Sequence, residues 1–251
     1  MSNEYIAGLS VSQVSNLSTD RSSALTVAQV PALTTAQVQG LTSAQVSTLQ
    51  TAQLVALSTE QLVALTTAQA ASLTTAQAST LLVAQVAAFE TADLAAMSTS
   101  AVAALTTAQM QSLNSAQIAS LTSAQVRNLT TSQVAALSTA QVAALETLDV
   151  SSLTTDQLQA VSTAQMRALD SNQAKALTSV QVAKLTTAQL GSLTANQAAA
   201  LDTVDVAQLG TDQVRSITTA AIAGLTTSQV NNLSTDQVNA LTSSQVKALT
   251  T

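Results

Sequence analysis

The sequence predicts an all-α protein, an α-solenoid of very short capped helices with one helix per eight-residue repeat. Three observations carry that prediction. An apolar residue stands at every eighth position from Leu9 through Leu17, Leu25 and Leu33 to Leu249, with no insertion or deletion. A helix-start signature sits at one fixed place inside each repeat. The composition is 47% hydrophobic yet only 8% charged and 1% aromatic, whereas an ordinary globular domain is about 25% charged. Such a chain suits a core shared among many small units.

Counting each octad from its apolar residue, positions 2 and 3 are usually Thr or Ser and position 5 is usually Gln. Position 6 is Val or another aliphatic residue, and positions 7 and 8 are small or polar. The first position stays apolar even at its exceptions, Phe89, Met97, Val161 and Ile217. In Leu33-Thr34-Thr35-Ala36-Gln37-Val38, an N-cap at Thr34 places Gln37 at the third helical residue, which makes a capping box. Leu33 before the cap and Val38 at the fourth helical position then form the hydrophobic staple. Gln50, Leu82, Glu90 and Glu146 fit the cap position poorly, so Thr51, Thr91 or Thr147 is expected to cap one residue later. Gln, on this reading, serves as the capping partner rather than as a ladder between repeats.

Two other architectures compete. A continuous helix turns about 100° per residue, so an eight-residue stripe drifts by roughly 80° per repeat and soon circles the helix. Coiled coils need periods of seven or eleven. A β-solenoid is the remaining alternative, favoured by the Thr and Val content. Positions 1 and 6 have opposite parity, however, so a flat strand would separate the two apolar columns unless a corner intervened. Corners favour Gly, Asn or Asp, and the chain has only five Gly.

A helix of five or six residues does not persist alone, because nucleation is unfavourable. Burial of one Leu and one Val falls short of the entropy lost in ordering eight residues. Stacked octads can share a core and so fold together. Two octads are expected to form each helix-turn-helix layer, giving about sixteen layers and a rod of roughly 130–160 Å at ordinary helix spacing. Residues 1–251 read as a single array without a linker. A degenerate N-terminal cap covers about residues 1–24, where "NEYIAG" and "TDRSSA" lose the Gln and Arg21 replaces it.

Composition also excludes functions. The net charge is −6 with seven Lys or Arg, none of them between Arg21 and Arg127, so a row of phosphates would go unneutralised. Nucleic acid is therefore not an expected partner. Cys and His are absent, which removes disulfides, the commonest metal ligand and the commonest general base. No enzyme and no cofactor are expected. No run of eighteen apolar residues spans a membrane, and "MSNEYIAGLS" carries no visible cleavable signal.

Carboxylate pairs are the most unusual departures from the repeat. Glu90 with Asp93, Glu146 with Asp149, and Asp202 with Asp205 replace the Thr-x-x-Gln box, and their starts lie 56 residues, or seven octads, apart. Carboxylates can ligate calcium weakly, but an ion takes about six to eight oxygens, more than such a pair supplies. The plainer reading places Asp at the positive end of a helix. Rows such as Thr66, Thr67, Thr74 and Thr75 could form an ice-binding hydroxyl array, although capping already accounts for one Thr per octad.

The C-terminus, "LTSSQVKALTT", stays near consensus and stops at Thr250-Thr251 where another cap would begin. An open apolar end invites docking. Tyr5, Ile6 and Leu9 at one end and Val246 and Leu249 at the other are the expected assembly residues, joining copies head-to-tail into an open homopolymer. A peptide- or protein-binding scaffold is the alternative function, since solenoids bind partners along a face.

The octads resemble the LTTAQV-type repeats of large bacterial surface and secreted, adhesin-like proteins, and the likeness covers the whole chain. It implies a structural or adhesive role outside the cell, with export through no visible cleavable signal. Leu-Thr-x-x-Gln-Val also resembles the helix starts of transcription-activator-like effector repeats. That likeness ends after eight residues, and no DNA-reading residue carries over.

Overall fold

The computed structural model describes residues 3–249. Among these residues the chain forms thirty α-helices and one 3-10 helix, and no strand. Each helix is four to six residues long and starts at position 3 of its octad, as in Thr35–Gln39 and Ser43–Thr48. None is long and apolar enough to cross a membrane. The β-solenoid alternative fails because only positions 1 and 2 are extended, as at Leu49 and Gln50, too few residues for a strand. Val30–Ala32 is the 3-10 exception, where Pro31 lacks the N–H that would continue an α-turn.

Local chemistry sets both helix ends. Thr34 Oγ1 accepts from the Gln37 N–H at 3.2 Å, and the Thr34 N–H donates to Gln37 Oε1 at 2.7 Å. The same reciprocal pair recurs at Thr74 with Gln77 and at Thr178 with Gln181. The cap stays at position 2 even where the residue suits it poorly. Gln50, Glu90 and Glu146 are the N-cap residues, and Thr51, Thr91 and Thr147 are the first helical residues, contrary to the expected one-residue shift. At the far end the backbone passes through an extended apolar residue and an extended cap into the next helix. No described residue has positive φ, which explains why five glycines suffice for so many corners.

Within residues 3–129, and again within residues 130–249, helices pack on the helix three octads later: Thr67–Ala71 on Thr91–Ala96, Thr75–Thr80 on Thr99–Ala103, and Thr131–Ala136 on Thr155–Ala160. A coil therefore contains three octads, not the expected two. Sharp reversals after a helix commonly use a residue with positive φ. Corners without one turn less, and three of them bring the chain back over itself.

The chain divides into two compact units, Met1–Leu129 and Thr130–Thr251. In the first, positions 1 and 6 form the buried core, with Leu33, Val38, Leu41 and Val46 at its start and Met110, Leu113 and Ile118 further on. The second repeats the arrangement with Leu137, Val142, Val150, Leu158 and Met166. The four most closely meshed helix pairs each include a helix with Ala at position 6, namely Ala70, Ala78, Ala174 or Ala198. A missing branched side chain lets the coil above descend, and in two cases a larger position-1 residue, Phe89 or Met97, stands in the octad stacked above.

Gly224 belongs to such a close approach. A Cβ there would lie 2.6 Å from the Ala195 carbonyl oxygen and 2.8 Å from its Cα, so backbone would have to move. Gly224→Ala is expected to destabilise the fold by about 1–3 kcal/mol, measured by chemical denaturation. Wild-type stability in that variant would show that the coils have slack at this level.

Candidate functional site

Position 5 carries the densest polar chemistry in the molecule. Gln45 Nε2 donates to the carbonyls of Val14 at 2.9 Å and Leu17 at 2.8 Å, 31 and 28 residues earlier. Gln77 does the same to Val46 and Leu49, and Gln181 to Val150 and Leu153. These carbonyls lie at the corner of the preceding coil, where a helix ends; Val14, Val46 and Val150 each accept one local N–H there, and the Gln amide adds a second donor. A carboxamide has one acceptor oxygen and two N–H donors. The oxygen takes the cap N–H, and the two donors take the coil below. The Gln column is thus both capping partner and inter-coil bridge, whereas sequence reasoning assigned it the first role alone. Most of these side chains are buried.

Seven octads depart from Gln at this position. Tyr5 and Arg21 lie exposed in the first coil, together with the consensus Gln13. Ala101 and Ala221 keep the cap bond, their N–H groups donating to Ser98 Oγ at 3.1 Å and Thr218 Oγ1 at 3.2 Å, but bring no bridge. The remaining three are Asp93, Asp149 and Asp205, all buried.

The acidic pairs are not equivalent. Asp149 Oδ2 accepts from the Glu146 N–H at 3.1 Å, which closes half of a capping box. Asp93 Oδ2 and Asp205 Oδ1 are buried with no hydrogen-bond partner. Burial, and then the nearby Glu90 carboxylate, pushes the Asp93 carboxyl above its ordinary range. Glu90 and Asp202 sit at the N-cap without a side-chain capping bond. Among the described residues no three or more His, Cys, Asp or Glu side chains gather into one metal-ligating group.

The end residues separate as well. Tyr5 is 57% exposed, and Val246 is 46% exposed. Leu9 and Leu249 are half-buried. Ile6 is buried, and its carbonyl takes Gln37 Nε2 at 3.0 Å, so its side chain is covered by its own fold. Thr250 and Thr251, where a further cap would begin, lie outside the described residues. Of the Thr rows, Thr66 and Thr74 are engaged in capping by the N–H groups of Gln69 and Gln77, while Thr67 and Thr75 are exposed.

Capped octads closing three to a coil, most of them bridged to the coil before, define an α-solenoid repeat protein. The chain belongs to the ALTTAQ repeat family, which it matches at residues 46–82, 86–123, 119–147, 142–179, 150–187, 198–235 and 222–251, well over half its length. No curated protein matches it.

The bridge makes a specific demand at Gln181. Gln181→Ala removes the amide donors from the corner carbonyls of Val150 and Leu153, of which Val150 keeps the Leu153 N–H at 3.3 Å, and is expected to cost about 1–3 kcal/mol. Gln181→Glu keeps the acceptor but sets a buried charge against those carbonyls, and should cost more. Thermal unfolding in calcium-free buffer checks the order. Equal stability of the Glu variant and wild type would mean that the amide donors do not hold the coils together.

Proposed function

We propose that this chain is a structural, non-enzymatic protein that joins copies of itself head-to-tail, as an extracellular filament or as the rod of a surface protein. What supports the reading is the exposure of position 6 in the coil that residues 226–249 form. Val238 and Val246 are 48% and 46% exposed, whereas position 6 is essentially inaccessible at Val182, Leu190 and Val206. Leu225, Val230 and Leu249 line a recess on the same coil. The carbonyls of Val230 with Leu233, and of Val238 with Leu241, occupy the corner register that takes Gln bridges elsewhere.

The first coil offers the complement. Tyr5, Gln13 and Arg21 are exposed at position 5, where the bridging amides stand in later coils. All three side chains carry hydrogen-bond donors. Donors on one face and an apolar rim with acceptors on the other make a heterologous contact, which propagates into an open assembly. Resemblance to repeats of bacterial surface proteins favours a location outside the cell. The scarcity of Lys, Arg and aromatic residues suits it, because it leaves few sites for common proteases.

Sedimentation velocity and negative-stain electron microscopy over a concentration series test this function. Wild-type protein should form filaments that lengthen with concentration. The variant Val238→Glu with Val246→Glu should remain monomeric while keeping its helical circular dichroism. Wild-type monomers at every concentration would overturn self-assembly and favour a stalk segment or a peptide-binding scaffold.

A further inference from the structure

The two unpartnered aspartates stand at the position where most octads place a donor, although Ala101 in the octad after Asp93 brings none. Gln85 Nε2 reaches the carbonyls of Leu54 at 3.0 Å and Leu57 at 2.8 Å, and Gln109 reaches Ala78 at 3.1 Å and Leu81 at 2.6 Å. Asp93 lies between them in sequence, in the same register, which places it over the corner carbonyls of Leu62 and Leu65. Gln197 bridges to Met166 and Leu169, and Gln213 to Leu185. By the same register Asp205 stands over Ala174 and Leu177. In this register an acceptor replaces a donor opposite the corner carbonyls, of which Leu62 and Ala174 each keep one backbone N–H, and both Asp side chains are buried. Something positive is missing.

The companion substitution narrows what that is. Where Ala replaces Gln, at Ala101 and Ala221, the cap is the neutral Ser98 or Thr218. Where Asp replaces Gln, at Asp93, Asp149 and Asp205, the cap is acidic, Glu90, Glu146 or Asp202. A shared positive partner suits such a pairing where the buried carboxylate has no other partner, whereas at Glu146 with Asp149 the Glu146 N–H already engages it. Length agrees. Asp is one methylene shorter than Gln, so its oxygen stops roughly 1.5 Å short of the amide position. The resulting gap of about 4–4.5 Å between oxygens fits an ion held at about 2.3–2.6 Å from each. Two carboxylates and two corner carbonyls together approach the about six to eight oxygens that calcium takes, with water completing the shell. The preceding coil supplies the ligands that the sequence pair lacks.

We propose that Glu90 with Asp93, and Asp202 with Asp205, each bind a calcium ion against the corner carbonyls of the preceding coil. The ion replaces the amide donors and ties the coils together at these two levels. The third pair is excluded, since Asp149 is already engaged by the Glu146 N–H. The proposal does not depend on head-to-tail assembly.

Isothermal titration of the full chain with calcium chloride, paired with thermal melts, tests it. Wild-type protein should take up one ion per proposed pair, with Kd of about 10⁻⁴–10⁻³ M, as in extracellular modules, and should melt at a higher temperature when loaded. Asp93→Gln with Asp205→Gln restores the bridging amide, so this variant should fold, melt at or above the calcium-free wild type, and lose the response. Absence of calcium uptake by the wild type would overturn the proposal, as would uptake unchanged in the variant. A fold stabilised by acidification but indifferent to calcium would overturn it too. In that case a proton supplies the missing donor, as the raised Asp93 pKa permits, and stability would be lost as pH rises through that pKa.

Discussion

A carboxamide carried by most octads holds this fold together. Its oxygen fixes the start of its own helix, and its nitrogen fixes the end of a helix one coil earlier. Local and long-range order are therefore written into the same side chain. A helix of five residues has four orphan N–H groups and four orphan carbonyls, so nearly all its backbone is terminus. Such a helix survives only where something else satisfies those ends. The position-2 hydroxyl handles one donor, and the Gln handles a further donor and two carbonyls of its neighbour, as at Gln45 with Thr42, Val14 and Leu17. Few backbone groups are then left to water or to chance.

Apolar packing follows from that scaffold. With helix ends pinned, positions 1 and 6 point into a common interior, and coil spacing adjusts to what they carry. Branched residues at position 6 keep coils apart, whereas Ala70, Ala78, Ala174 and Ala198 let them mesh closely. The interior tolerates Phe89 and Met97 near the first two of these, which is volume exchanged between stacked octads rather than lost. Repeat interiors of this kind distribute their stability over nearest-neighbour contacts.

Much of the fold was legible in the sequence. The phase of Leu9 to Leu249, the Thr-x-x-Gln box and the staple defined helix, cap and core position by position. The number of octads per coil was not legible, because corner angle depends on backbone torsions that periodicity does not encode. The bridge was missed, yet its signal was present. A capping box accepts Glu as readily as Gln, but no octad has Glu at position 5. The preference for Gln over Glu betrays a need for its N–H groups, which only a partner elsewhere in the chain would use. The acidic pairs were recognised as unusual, but two carboxylates in sequence looked insufficient as ligands. The carbonyls of Leu62, Leu65, Ala174 and Leu177 became relevant only once the coil placed them.

The genetic unit and the geometric unit of this protein differ, one being an octad and the other a coil of three. Most corners share the same capping and bridging logic, so gain or loss of a single octad leaves most remaining octads with a neighbour of the kind they need. Recombination between such similar stretches can therefore change the length of the array in fine steps without inventing new contacts. What it does change is orientation. Each added octad carries everything after it around by one side of the coil, so a surface feature inherited further along the chain comes to face another way. Length and facing are thus linked characters in the evolution of such an array.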